Sequence, residues 1–270
     1  MRKIAAKALI LQTKLLFSEE MLSKSQLHFL RSLHLKKFRK EHQLFIAEGI
    51  KSITEFIRSS YAIETIYYTP PFAVQIEKLS PKINKSLIDE TDLQKISALK
   101  TPQGILATIK MPISEVPDMT LLQNKFSIVL DNIQDPGNMG TIIRTADWFG
   151  IHQIICSNDT VEAYNPKVVQ ATMGSLAHVA VYYLDLDRWL PEADMPQYAA
   201  MLGGRSIYDT PFGTSGLLIM GNEGHGVRAQ LLTKDVQHVT IPKFGEAESL
   251  NVAQATAIFC SEIKRNTRNF

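Results

Sequence analysis

Residues able to handle an anion cluster in one short segment, Asp131-Asn-Ile-Gln-Asp-Pro-Gly-Asn-Met-Gly-Thr-Ile-Ile-Arg144. An apolar run, Phe126–Leu130, leads into it, and Pro136 and Gly137 break that run sharply. Asn138 is a good N-cap for the helix expected to follow. The free backbone N–H groups of such a helix end, with Arg144 on the following turns, make a natural pocket for a phosphate or other oxyanion. The plain alternative for Arg144 is a surface arginine paired with Asp147 three residues on. The specialised turn before the helix narrows the preference for that alternative, because its geometry suits a ligand. Two more polar, glycine-rich stretches repeat the strand–loop–helix logic: Gly221-Asn-Glu-Gly-His-Gly226 and Ile241-Pro-Lys-Phe-Gly-Glu-Ala-Glu-Ser-Leu-Asn251. Glu223, flanked by Gly221, Gly224 and Gly226, is poorly placed for packing; its plain role is to cap a helix over Val227–Thr233. Ser249 and Asn251 open the last helix, where either serves as a simple N-cap in the plain case. The Gly245–Ser249 loop leaves backbone amides free for close approach of a ligand. Together the three stretches suggest a composite active site.

The elements that must position these groups alternate strictly from Lys125 onward. Strands are expected at about Phe126–Asn132, Gln153–Ser157, His178–Leu184, Ala199–Leu202, Leu217–Gly221 and His238–Pro242. Helices are expected between and after them at about Gly140–Phe149, Pro166–Gly174, Arg188–Glu192, Val227–Thr233 and Leu250–Lys264. Short Val/Ile/Leu strands alternating with helices predict a largely parallel α/β sheet covered on both faces. Ligands of such sheets bind outside the carboxyl ends of the strands, where all three polar stretches fall. Tyr182, Tyr183 and Trp189 read as core or interface aromatics. Residues 45–110 predict a smaller α/β domain, with strands at Phe45–Ala47, Ala62–Tyr68 and Gly104–Lys110 and helices at Gly49–Arg58 and Asp92–Lys100. Residues 21–44 are a basic amphipathic stretch in which Leu22, Leu27, Leu30 and Leu33 recur near helical spacing, ending in Lys36-Lys37-Phe38-Arg39-Lys40. The expected division is therefore an N-terminal extension (1–20), a substrate-binding domain (21–110), a proline-marked linker (111–119) and a larger domain (120–270).

Composition narrows the classes. The 270 residues are 45% hydrophobic and 21% charged, as in an ordinary soluble protein. The net charge of +2 hides an uneven distribution: residues 1–51 hold eleven Lys/Arg against four acids. A basic segment on a neutral body fits a nucleic-acid-binding appendage, as it fits a solubilising helix face. Cys156 and Cys260 lie far apart in apolar runs and read as buried free thiols in a reducing compartment. The scattered histidines offer no metal-ligand spacing, so no metal is expected. Ile4–Phe17 is interrupted by Lys7 and Lys14, is followed by no small-residue cleavage site, and is too short and charged to span a membrane; a cytoplasmic location is expected. Nucleotide fingerprints are absent. The first turn offers only Gly137-Asn-Met-Gly140, and the Gly221–Gly226 loop has the order Gly-x-x-Gly-x-Gly, which disfavours a standard dinucleotide or phosphate-loop site.

The three stretches together resemble the SpoU/TrmH family of RNA 2′-O-ribose methyltransferases, within the SPOUT class. Asn138-x-Gly140-x-x-x-Arg144 resembles the family's first motif, Met220-Gly-Asn-Glu-Gly-His-Gly226 the second, and Ile241-Pro-x-x-Gly-x-x-x-Ser-Leu-Asn-Val252 the third. The match spans about residues 125–265 in the family's order. More weakly, Lys24–Phe56, with Arg39 and Glu48-Gly49, is similar to its N-terminal RNA-binding domain. The resemblance implies a trefoil-knotted parallel-sheet domain, an exception to unknotted topology. It also implies S-adenosylmethionine as cofactor, with Gly221, Ile241 and Leu250 lining its site, and a homodimer whose active site draws on both subunits. Arg144, Asn138, Glu223, Ser249 and Asn251 become the catalytic set, and Lys36, Lys37, Arg39 and Lys40 the RNA-binding one. Lys243 stands where the family usually has methionine, and Ala253-Gln254 where it usually has Ser-Val.

Three function classes follow. The first is an S-adenosylmethionine-dependent RNA ribose methyltransferase. Its separate N-terminal domain favours large-subunit ribosomal RNA by analogy, since tRNA-modifying relatives tend to carry short terminal helices instead, with a tRNA 2′-O-methyltransferase as the alternative. The second is a non-catalytic RNA-binding or assembly factor on the same fold, against which the intact Arg144, Glu223, Ser249 and Asn251 speak. The third is a small-molecule dehydrogenase, which requires nicotinamide binding.

Overall fold

The basic leucine-spaced stretch folds as two helices in the computed structural model, which describes residues 21–113 and 116–267. Helix α1 (Lys24–Ser32) begins at a capping box, the Ser23 hydroxyl accepting from the Gln26 N–H while the Gln26 side chain accepts from the Ser23 N–H. Leu30 and Leu33 turn into the core, and the chain restarts at α2 (Lys36–His42). Gln43, left-handed at φ 52°, ends α2 and feeds β1 (Leu44–Glu48). There follow α3 (Ile50–Arg58), β2 (Ile63–Tyr68), α4 (Ala73–Ile76), β3 (Asn84–Leu87), α5 (Glu90–Ile96) and β4 (Ile105–Lys110). The expected extension, residues 1–20, lies outside the described residues.

These elements form a mixed sheet in the order β1-β4-β2-β3, antiparallel except for the parallel β2–β3 pair. The described residues up to Pro112 make one compact unit together with Tyr164–Ala177. Tyr164 explains why that distant segment belongs there: its ring lies 4.8 Å from that of Phe45, in a cluster with Phe56 and Tyr61. Strand β3 and helix α4 were not expected from the sequence. The strand reads Asn-Lys-Ser-Leu, too polar to signal itself, and it forms only at the sheet's edge.

The second unit holds the described residues of Ile113–Ala163 and those from His178 onward. Its elements are α6 (Met119–Asn124), β5 (Phe126–Leu130), α7 (Pro136–Trp148) and β6 (Gln153–Ser157). After α8 (Pro166–Thr172), which belongs to the first unit, come β7 (Ala180–Leu184), α9 (Leu186–Glu192) and β8 (Gln197–Ser206), then β9 (Gly216–Met220), β10 (Val236–Thr240) and α10 (Val252–Thr267). The sheet runs β10-β8-β9-β5-β6-β7 and every pairing is parallel. Strands β5, β6 and β9 are buried along their whole length, as continuous apolar runs covered on both faces must be. Val129, Ile155, Leu217 and Ile219 fill one side with Leu186, Leu190 and Leu231.

Two expectations are corrected here. The helix anticipated over Val227–Thr233 is only a 3-10 turn, Ala229–Leu231, because Leu232 leaves helical geometry (ψ 66°) just before β10 begins at Val236. So short a stretch cannot recover the cost of helix nucleation. Strand β8 is ten residues long, and its pairing with β10 jumps from His238↔Ala199 to Val239↔Arg205.

Candidate active site

The three polar stretches leave the carboxyl ends of β5, β9 and β10, where parallel sheets collect their ligands. The first begins in Asp131, whose N–H still pairs with the Met220 carbonyl, and Asn132, which turns left-handed at φ 58°. Helix α7 starts at Pro136, four residues before the expected Gly140. Its N-cap is Asp135, whose carboxylate accepts from the Asn138 N–H at 2.8 Å, and Pro136 occupies the first helical position. Asn138 is therefore not the cap. Relieved of that task, its side chain points to the other two loops.

The second loop is organised by Asn222. Its Oδ1 accepts from the N–H groups of Gly224 (2.8 Å) and His225 (3.3 Å), and its Nδ2 donates to the Asn132 carbonyl at 2.8 Å. The Asn222 and Gly226 backbones also exchange two hydrogen bonds. Gly221 is required by close approach: a Cβ there would run into the backbone of Gly226 and Val227. At the loop's base Asp131, 0% exposed, accepts from the Arg228 N–H (2.9 Å) and Nε (2.7 Å). Arg228 reaches on to Asp187 at 3.3 Å. A buried carboxylate thus clamps the second loop to the strand that launches the first.

The third loop closes the set. Asn251 is the cap of α10, its Oδ1 accepting from the Ala253 and Gln254 N–H groups at 2.9 and 3.3 Å. Its Nδ2 donates to Asn138 Oδ1 at 2.9 Å, and Asn138 Nδ2 donates to Glu223 Oε1 at 2.7 Å. One hydrogen-bond series therefore joins residues 113 and 85 positions apart in the chain. Glu223 caps no helix; it is the terminal acceptor of this series.

Arg144 stands six residues beyond Asn138 on α7, about 9 Å along its axis. It is exposed and makes no ion pair with Asp147 among the described residues. Its guanidinium is available for a ligand. Ser249 is exposed at the mouth of the third loop and takes no part in the hydrogen-bond series. The structure thus unites Asn138, Glu223 and Asn251, with Arg144 and Ser249 on the elements that flank them. Sequence reasoning missed Asp135, Asn222 and the Asp131–Arg228 clamp. Asp135 had a readable signal, an aspartate directly before a proline at a helix start; Arg228 had none.

Gly221 and Ile241 follow β9 and β10 directly and are half-buried, whereas Leu250 is exposed. Neutral backbone groups and apolar side chains of this kind suit a nucleoside carrying a sulfonium, which an array of cations would repel. Phe244, 94% exposed, adds apolar surface to the same loop, and Lys243 is its one basic side chain. Among the described residues no group of three or more His, Cys, Asp or Glu is placed to hold a metal ion. Cys156 and Cys260 are buried free thiols that burial pushes upward, Cys260 to about 12, so neither is a nucleophile.

In the small unit, Lys36, Lys37 and Lys40 are exposed on α2. Arg39 is not: it is 2% exposed, and its Nη1 donates to the Leu33 carbonyl at 2.9 Å. Its expected place in an RNA-facing set is corrected, because the guanidinium holds the α1–α2 junction instead. Glu48 is likewise buried, accepting from the Ser97 hydroxyl and, at 2.8 Å, from the Ala98 N–H.

With these loops in view the relationships of the chain are clear. Residues 125–261 match the SpoU rRNA methylase family, and residues 24–107 match the MRM3-like substrate binding domain. The chain belongs to the SpoU rRNA methylase family. It is 31% identical to the Bacillus subtilis 23S rRNA (guanosine(2553)-2'-O)-methyltransferase RlmP, over 87% of this chain and 94% of that protein. Among solved structures, a TrmH-family protein from Porphyromonas gingivalis superimposes with a TM-score of 0.83 at 36% identity, covering 91% of this chain and 99% of that one. An AdoMet-bound rRNA methyltransferase from Sinorhizobium meliloti gives 0.80 at 28% identity, covering 93% and 99%.

Proposed function

We propose that the protein transfers the methyl group of S-adenosylmethionine to a ribose 2′-hydroxyl of large-subunit ribosomal RNA. The observation that carries this reading is the Asn251–Asn138–Glu223 series, which ties the three family motifs into one site, with the uncommitted Arg144 farther along α7. The Bacillus relative named for 23S rRNA 2'-O-methylation, similar along nearly its whole length, supports the choice of RNA.

S-adenosylmethionine supplies the electrophilic methyl group. The AdoMet-bound relative supports this cofactor, and Gly221, Ile241 and Leu250 are the residues that would hold it. The chain's own task is to align a ribose hydroxyl with that methyl and to stabilise the charge that develops on its oxygen. A guanidinium gives up its proton too reluctantly to act as a ground-state base. Arg144 instead holds the target phosphate and stabilises the developing alkoxide, while the hydroxyl proton passes to solvent. Glu223, Ser249 and Asn251 orient the arginine and ribose, and Asn138 fixes two of them relative to each other. The second unit is the methyl-transferring domain, knotted as a trefoil, and the first unit the RNA-holding one, with Lys36, Lys37 and Lys40 facing RNA.

The enzyme works in the cytoplasm as a homodimer. Trp148 on α7 (84% exposed), Phe244 and Leu250 are exposed apolar side chains of the second unit, which supports a partner subunit covering them. Among the described residues no helix is long and apolar enough to cross a membrane.

The decisive experiment pairs binding with turnover. Arg144→Ala should bind S-adenosylmethionine with wild-type affinity by calorimetry yet lose methyl transfer to ribosomal RNA. Near-normal turnover of that variant would overturn its assigned role. Ribose-methylation mapping in a deletion strain should reveal one missing 2′-O-methyl mark in large-subunit RNA; an unchanged map would remove the proposal.

A further inference from the structure

We infer that the cleft between α1 and α5 binds successive phosphodiesters of the substrate RNA strand. Lys24, His28 and Arg31 recur along one face of α1, opposite the Leu22, Leu30 and Leu33 face that packs into the core. With Leu27 as floor and Lys95 on α5 as facing wall, they enclose about 270 Å³, and no carboxylate is among the lining residues. The cleft is built rather than incidental. Asp92, itself buried, lies at its root, accepting from the Leu22 N–H at the head of α1 (2.9 Å) and from Lys95 Nζ (2.8 Å). One carboxylate therefore seats α1 against α5 and sets Lys95 at the rim. That ammonium keeps two of its three donors for a ligand.

The spacing points to a polymer. From Lys24 to Arg31 the cations span roughly 10 Å of helix axis, more than one phosphate group covers. They are side chains, with no cradle of backbone amides of the kind that grips a single terminal phosphate. Such a row neutralises a strand's backbone without reading its bases, fixing register while leaving sequence to other contacts. The inference rests on the RNA-methylating reading for the identity of the polymer, and it adds a contact surface that the basic run on α2 did not indicate.

Fluorescence anisotropy with a labelled large-subunit ribosomal RNA fragment, using the full chain over a range of salt concentrations, tests it. In K24A/R31A the affinity near 0.1 M salt should fall about tenfold, and the log–log salt slope should become shallower by about 1 to 2. S-adenosylmethionine affinity by calorimetry should stay within about twofold of wild type, a check on folding in the other unit. K24Q/R31Q, which keeps the side-chain stems over Leu27, repeats the measurement should alanine loosen α1. Wild-type affinity and slope in the glutamine variant would overturn the inference. Binding is read without turnover, so a wild-type chain that binds RNA but fails to methylate it would sink the enzymatic reading and leave the cleft's result standing.

Discussion

Asn138 does its work through both halves of one amide, accepting from Asn251 and donating to Glu223. No other side chain of that length offers one donor and one acceptor so rigidly disposed. Asn138→Ala removes both bonds, each of about 0.5 to 1.5 kcal/mol, and single-turnover methyl transfer should slow by roughly tenfold to a hundredfold. A rate within twofold of wild type would show that the series is ornamental. Asp131 acts at the same scale with larger stakes. It is fully buried and bonded twice to Arg228, so Asp131→Ala strands a partly buried guanidinium and should cost about 3 kcal/mol in urea unfolding. The chemistry-bearing residues were legible because they sit in short contiguous motifs with glycine and proline around them. Arg39 was misread for the converse reason. A run of five residues, four of them basic, does not say which of its members the helix turns inward, and burial chose the third arginine or lysine in it.

At the scale of elements, positions rather than periodicity decided most of the departures. Strand β3 was missed because an edge strand needs only backbone pairing, and its polar side chains left no alternation to read. The helix over Val227–Thr233 was overcalled because its composition allowed a turn that the approach of β10 cut short. The buried strands β5, β6 and β9 were plain as apolar runs. Gly221→Ala tests the loop geometry directly. The added methyl meets backbone, which cannot swing aside, so cofactor affinity by calorimetry should fall at least tenfold. The α1–α5 junction gives a pH signature. The Lys95 ammonium, aided by the Leu22 N–H, holds the Asp92 carboxyl below its ordinary range against the opposing effect of burial. A carboxyl lowered on folding contributes stability that is complete above its unfolded value near 4 and lost as pH falls through the folded one. As pH falls below about 5, Asp92→Asn should therefore lose Tm less steeply than the wild type. An unchanged acid limb would place that stability elsewhere, with Glu262, lowered chiefly by Arg265, the next carboxyl to substitute.

For the molecule as a whole, the parallel sheet and its carboxyl-end site followed from alternation alone, whereas the grouping of Tyr164–Ala177 with the small unit did not. Nothing in a local pattern reveals that Tyr164 will pack against Phe45, more than a hundred positions earlier in the chain. Light scattering at micromolar concentration should give twice the 30.3 kDa chain mass, and Trp148→Glu should shift it toward one; a wild-type monomer would remove the dimer. The hydrogen-bond series across the three loops has a consequence for the order of events in solution. Asn251 and Glu223 border the two loops assigned to the cofactor at one end of the set, and Asn138 joins them at the other end to α7, which carries the RNA-assigned Arg144. A ligand that stills one end lessens the conformational entropy the other must surrender. Each ligand should then tighten the other's binding by the same factor, as linkage demands, and Asn138→Ala should erase that reciprocity, leaving two independent equilibria.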